Sequence, residues 1–97
     1  NAHDLERFVA VFSEDVQVYR MPSHEPTIVG REAFAEAYRK RFQTPGLRAE
    51  VLNRMVIGNK SIDHERVHGI RDEPFEVGVV YEIVGERIAK VWFFSAE

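Results

Sequence analysis

The chain has 97 residues, 44% of them hydrophobic and 30% charged, which is enough for one domain with a single core and too little for two. A formal net charge of −3, with no Lys/Arg run that stands out, gives no basic patch for nucleic acid, and the absence of cysteine excludes disulfide and thiolate chemistry. No apolar run approaches the roughly 18 residues of a membrane span and no signal peptide is visible, so no membrane contact and a cytoplasmic location are expected.

The chain opens on Asn1 rather than Met, as a segment of a longer chain would. Asp4 is placed as a helix N-cap. Leu5, Phe8, Val9 and Phe12 follow at helical spacing, and Glu6 sits in the first turn, where the helix dipole favours an acid. This helix ends near Ser13. Val16 to Met21 alternates as a strand does and stops at Pro22; Ser23 to Gly30 reads as a loop containing Pro26. A second helix runs from Arg31 to about Phe42. Phe34, Ala37, Tyr38 and Phe42, with Ala33 beside them, form its apolar stripe, and Pro45-Gly46 ends it.

From Leu47 the period changes from 3.6 to 2. Four strands follow, at about Leu47–Ile57, Ser61–Arg71, Phe75–Val84 and Arg87–Ser95, with Gly58-Asn59 and Gly85-Glu86 as tight turns. Helices first and an antiparallel meander afterwards is an α+β order, and a long twisted sheet buries one face by curving over the helices. The expected architecture is a curved antiparallel sheet wrapped around helices as a half-open cone, with an interior.

Alternation assigns the faces. Leu47, Ala49, Val51, Asn53, Met55 and Ile57 are placed inside, as are Phe75, Val77, Val79, Tyr81 and Ile83; Val16, Val18 and Arg20 share a face. The strand from Ser61 is rich in ionisable groups and allows two registers. A two-residue turn at Gly58-Asn59 puts Ile62, His64, Arg66 and His68 on the face of Asn53; a three-residue turn puts Ser61, Asp63, Glu65 and Val67 there. The last strand is equally open, with Lys90, Trp92 and Phe94 on one face and Val91, Phe93 and Ser95 on the other. Leu52, Val56 and Val80 make the back of the sheet apolar, which predicts a homodimer through the sheet. His64 and His68 share a strand face about 13 Å apart and cannot hold one ion. No metal, no cofactor, no phosphate loop and no Ser-His-Asp set is read from the sequence.

Asn1-Ala2-His3-Asp4-Leu5, Val11-Phe12, Asp15-Val16, Pro22, Gly30 and the distal Gly85-Glu86-Arg87-Ile88 resemble the nuclear transport factor 2-like superfamily, nearest its SnoaL-like and ketosteroid-isomerase-like members. The resemblance covers almost the whole chain and implies a single domain over residues 1–97, a cystatin-like α+β cone with a deep apolar pocket, and a dimer. Family members usually carry a further helix before the Asn-Ala-x-Asp turn; its absence implies either truncation at the N-terminus or a pocket that lacks one wall. The resemblance sets Arg20 and Val79 where ketosteroid isomerases carry their two aspartates, so that mechanism is not expected: an arginine stays protonated and cannot act as base at neutral pH. It also turns Asp63, Glu65 and Val67 inward, with Glu65 across from Asn53, and Val91 and Phe93 inward with Trp92 outward, against the two-residue turn at Gly85-Glu86.

The expected ligand is a small hydrophobic molecule. Glu65 is the candidate proton-transfer group, because desolvation raises a carboxylate's pKa, and Asp63 beside it would add to the effect. Asn53, Tyr81 and Trp92 are candidate substrate-binding residues. Arg20 is expected either to bind a substrate carboxylate or to pair with Glu65. The functional expectation is acid–base chemistry of the isomerase, cyclase or hydrolase kind; the alternative is a non-catalytic binding or dimerisation domain.

Overall fold

A computed structural model describes residues 2–95, with the backbone alone for Ala2, His3, Asp4 and Phe42. In chain order the elements are α1 (Ala2–Ala10), β1 (Phe12–Arg20), β2 (Pro26–Val29), α2 (Arg31–Phe42), β3 (Arg48–Ile57), β4 (Lys60–His68), β5 (Phe75–Val84) and β6 (Arg87–Ser95). The six strands form one curved, unclosed sheet in the order β2-β1-β6-β5-β4-β3. This is the expected α+β architecture, and the bounds of α2, β5 and β6 coincide with the sequence expectation. Asn1 lies outside the described residues, as do the side chains of Asp4 and Phe42, an expected cap and an expected stripe residue; Asp4 itself falls within α1 rather than before it.

Two differences lie in the first third of the chain. The first helix stops at Ala10, because Phe12 already belongs to β1 and the Ile88 amide donates to the Val11 carbonyl at 2.9 Å. Residues read as a loop contain β2, which pairs with β1 through Gln17–Val29 and Val18–Ile28. Pro26 opens this strand, and a proline is tolerated there because β2 is the sheet's edge. The meander β3–β6 is antiparallel as expected, but β1 joins β6 in parallel.

The core sits between α1, α2 and the inner face of the sheet. Phe12, Val16, Val18, Phe34, Val79 and Val91 are its buried members. The helices meet through aromatics: Phe12 and Phe34 lie 4.3 Å apart by ring centroid, Phe34 and Tyr38 4.5 Å, and Phe8 and Tyr38 5.2 Å. Phe34 and Tyr38 are four residues apart on α2, so they share one helix face, and the packing of the first fixes the second. Gly30 takes φ +94°, a conformation that favours glycine, and turns the chain from β2 into α2.

Two of the three hairpins of the meander, β3–β4 and β5–β6, combine a two-residue turn with a one-residue bulge. Ile57 faces Lys60 across Gly58-Asn59, and Met55 faces Ile62, Arg54 Asp63, and Asn53 His64. The next pair is Val51 with Glu65, so Leu52 is the extra residue. Likewise Val84 faces Arg87 and Ile83 faces Ile88, but Glu82 faces Lys90, leaving Ala89 over. A bulge of one residue exchanges the faces of everything beyond it.

Two expectations are corrected as a result, and the open register of the last strand takes the form that the resemblance implied. Asn53, Met55 and Ile57 belong to the outer face, and Asn53 lies across from His64 rather than Glu65. Val56 shares the inner face with Ser61 and Asp63, so it does not contribute to the apolar back. Trp92 faces outward and stacks on Tyr19 at 5.6 Å, while Val91 and Phe93 point inward opposite Tyr81 and Val79. The inward assignment of Asp63, Glu65 and Val67 holds, with a two-residue turn and not a three-residue one, because the bulge supplies the missing slip.

Candidate functional site

The curved sheet and α2 enclose an open cavity of about 760 Å³. Its apolar wall includes Phe8, Val18, Ile28, Val67, Phe75 and Phe93. Into it project Glu65 from β4, Tyr81 from β5 and Tyr38 from α2. The strand alternation places Glu65 and Tyr81 on the inner face, and the aromatic packing of Phe34 places Tyr38 over them.

Glu65 is part-buried. Burial raises its pKa above the ordinary carboxylate range, the negative charge of Asp63 on the same strand face pushes the same way, and Arg54 opposes them in part. Burial also pushes the Tyr81 hydroxyl well above its usual range, with the Glu65 charge adding to the effect. Tyr38 is raised for the same first reason, against the nearby Arg41, whose guanidinium lies 5.2 Å from the Tyr38 ring centre. Both phenols therefore stay protonated at neutral pH and can donate hydrogen bonds. Among the described residues, neither phenol Oη of this pair has a hydrogen-bond partner in the protein, whereas a hydrogen bond between the Glu65 and Asp63 carboxyl groups raises the Glu65 pKa further.

Asp63 behaves differently from the solvated hairpin-end residue that its position suggests. It is 2% exposed, and Arg54 across the ladder donates to it twice, Nε to Oδ1 at 2.7 Å and Nη2 to Oδ2 at 2.9 Å. Sequence reasoning missed Arg54 as a site residue. Its alternation put it outside, and only the bulge at Leu52 turns it inward. Tyr38 was read as core; its place at i+4 from Phe34 was the available signal.

The remaining candidates are distributed as follows. Arg20, the last residue of β1, lines the cavity but forms no ion pair with Glu65; the guanidinium serving the inner carboxylates is Arg54. Asn53, Asp63 and Trp92 do not line the cavity, nor does Arg54. The Asn53 amide lies 3.4 Å from Nδ1 of His64 on the outer face, where His64 also pairs with Glu76, and His68 lies 3.4 Å from Glu50. A second depression of about 590 Å³ on that outer face is lined by Met55, Ile62, Gly78 and Phe94 among others. Among the described residues, no helix is long and apolar enough to cross a membrane.

The comparisons with known proteins agree with this geometry. The model of the SnoaL-like domain matches residues 1–91. The structure is similar to a candidate ketosteroid isomerase from Kribbella flavida, with TM-score 0.80 and 24% identity over 100% of this chain and 69% of that one. It is similar to a candidate polyketide cyclase from Sinorhizobium meliloti, with TM-score 0.76 and 20% identity over 95% and 83%. An LEH-like epoxide hydrolase from M. tuberculosis gives TM-score 0.77 and 16% identity over 97% and 71%. No curated protein sequence matches the chain.

Proposed function

The chain belongs to the SnoaL-like domain family, of nuclear transport factor 2-like fold, and on that premise we propose that it binds a small apolar molecule in the inner cavity and transfers a proton on it through Glu65. The observation that carries this reading is the state of Glu65: a part-buried carboxylate of raised pKa, facing an apolar cavity and set beside the buried carboxyl of Asp63. A proton-transfer group works best when its pKa lies near the operating pH. Tyr81 and Tyr38 supply hydroxyls that can hold a substrate oxygen. Asp63 is committed to Arg54 and acts on Glu65 through its charge. Isomerase, cyclase and epoxide hydrolase are the activities that the similar structures carry in name, and each moves a proton at or beside an oxygen-bearing carbon. The two-aspartate isomerisation is not proposed, because Arg20 and a wholly buried Val79 occupy those places.

The outer face carries Trp92, Phe94, Met55 and Ile57, of which Met55 is 53% and Ile57 60% exposed. We propose that a second copy of the chain covers it, making a homodimer whose two cavities open away from the interface.

The test is a panel of apolar β,γ-unsaturated ketones and epoxides followed by chromatography. Turnover that is lost in Glu65→Gln, with circular dichroism unchanged, supports the reading; turnover that survives the substitution rejects Glu65. Retention of an apolar molecule by both proteins with turnover by neither favours a binding domain without catalysis. The feature on that side is the absence of the two aspartates.

A further inference from the structure

Asp63 and Glu65 stand two residues apart on β4, so both carboxyl groups project from the inner face of the sheet. Their cross-strand neighbours differ. Asp63 lies between Arg54 on β3 and Val79 on β5, whereas Glu65 lies between Val51 and Val77. The turn at Gly58-Asn59 fixes this: counting back from it sets Arg54 opposite Asp63, and Val51 reaches Glu65 past the bulge at Leu52. A guanidinium is thus set against the first carboxyl group and a valine against the second.

Both oxygens of Asp63 accept from Arg54, at 2.7 and 2.9 Å, and Asp63 is 2% exposed. A buried charge is tolerated when it is paired in this way, so Asp63 is the carboxylate of the two. A hydrogen bond joins the Asp63 and Glu65 carboxyl groups. Two carboxylates cannot form one, because each is an acceptor only; one member must bring an O–H. Glu65, with valines on both sides, is that donor. The groups around it leave it so. Tyr81 of β5 and Tyr38 of α2 are neutral phenols, and Arg54 is the cation whose charge acts on Glu65, although Arg20, Arg41, Arg48 and Arg71 line the same cavity. The raised Glu65 pKa has the same sense.

Resting on the catalytic reading above, we propose that Arg54 is a positioning residue, which by holding the negative charge on Asp63 keeps the proton of the pair on Glu65, so that Glu65 meets its substrate as an acid. The substrate class narrows accordingly, to apolar molecules with an acceptor oxygen that gains a proton before a bond at the neighbouring carbon breaks. In the step, the Glu65 carboxyl turns its O–H from Asp63 to the bound oxygen. That O–H bond breaks with its electron pair left on Glu65, a lone pair of the substrate oxygen forms the new O–H bond, and solvent returns a proton to Glu65 at the end of the turnover. Arg54 and Asp63 do not line the cavity and act through Glu65 alone.

The test is NMR of the carbon-labelled side-chain carboxyl groups of the protein, titrated without substrate from about pH 4 to about pH 9. In the wild type Glu65 is expected to be the protonated member of the pair; a spectrum with the proton on Asp63 and Glu65 ionised overturns the proposal without any variant. In Arg54→Gln the proton is expected to pass to Asp63, the more buried and now unpaired acid, and the Glu65 midpoint to fall by about one pH unit. A cation acting only through its field does the reverse, since its loss raises the midpoint of a neighbouring acid. A Glu65 midpoint that rises or stays in Arg54→Gln therefore overturns the positioning role. Arg54→Lys keeps the charge beside Asp63 and should restore the wild-type order. Arg66→Gln, on the outer face of β4 where Arg66 pairs with Glu50, is the control and should leave Glu65 unchanged. With a substrate that is turned over, a rate that falls as pH rises through the Glu65 midpoint supports the acid role, and a rate that rises overturns it. A protein that turns over nothing overturns the catalytic reading and the acid role with it, while the spectrum still decides where Arg54 places the proton.

Discussion

Arg54 and Asp63 face each other on β3 and β4, joined by two near-parallel hydrogen bonds of 2.7 and 2.9 Å. The pair is asymmetric: the Asp63 side chain is 3% exposed and the Arg54 side chain 58%. Removing the arginine therefore leaves a buried carboxylate without its partner and beside Glu65. Arg54→Gln is expected to lower the melting temperature by on the order of 10 °C at pH 7. Arg54→Leu/Asp63→Leu should recover most of that loss, since replacing both charges removes the desolvation problem as well as the pair. Thermal unfolding of the single and double variants checks this, and a double variant less stable than the single one would contradict it.

Glu65 links the site to pH. Its folded pKa is raised above the ordinary 4.5. The folded state thus holds a proton that the unfolded chain has already released, and stability falls as pH rises through the window between those two values. Glu65→Gln removes that dependence. The melting temperature of the variant minus that of the wild type is expected to be near zero at about pH 4 and positive at about pH 8. The subtraction cancels the titration of the other carboxylates, and a difference that does not change with pH would show that Glu65 is not perturbed.

Close approaches occur at two glycines. A Cβ on Gly69, where φ is +94°, would lie 2.4 Å from the carbonyl oxygen of Gly46, which is backbone and cannot step aside. A Cβ on Gly78 would meet the Phe94 ring at 2.1 Å, but that is a 42% exposed side chain, which can turn where backbone cannot. Gly69→Ala is expected to cost about 3 kcal/mol, from the backbone conformation and the contact together, and Gly78→Ala about 1 kcal/mol. Urea unfolding gives both values, and the reverse order would be evidence against this packing.

Trp92 is the chain's single tryptophan, and it stacks on Tyr19 on the outer face. Its emission should shift to the blue as protein concentration rises and a second copy covers the sheet. Filling the inner cavity should leave it unchanged. An emission shift on adding an apolar ligand at fixed protein concentration would place Trp92 in contact with the ligand and contradict the outward assignment.

The local chemistry of the sequence was sufficient for the element order apart from β2, for the α+β cone and for the inner faces of β1 and β5. Each depends on short-range periodicity: Val16, Val18 and Arg20 alternate without interruption, and so do Phe75 to Tyr81. The candidate proton-transfer residue was legible for the same reason, since a Glu in a half-buried strand needs either a partner or a role. What pattern could not supply was the two bulges. A bulge is one unpaired residue, Leu52 in one hairpin and Ala89 in the other, and neither side chain announces it. Sheet curvature requires it, and curvature is set by strands and helices distant in sequence. That extra residue decided that Arg54 joins Asp63 inside, that Asn53 and Trp92 leave the cavity, and that the two-residue turns and inward carboxylates coexist.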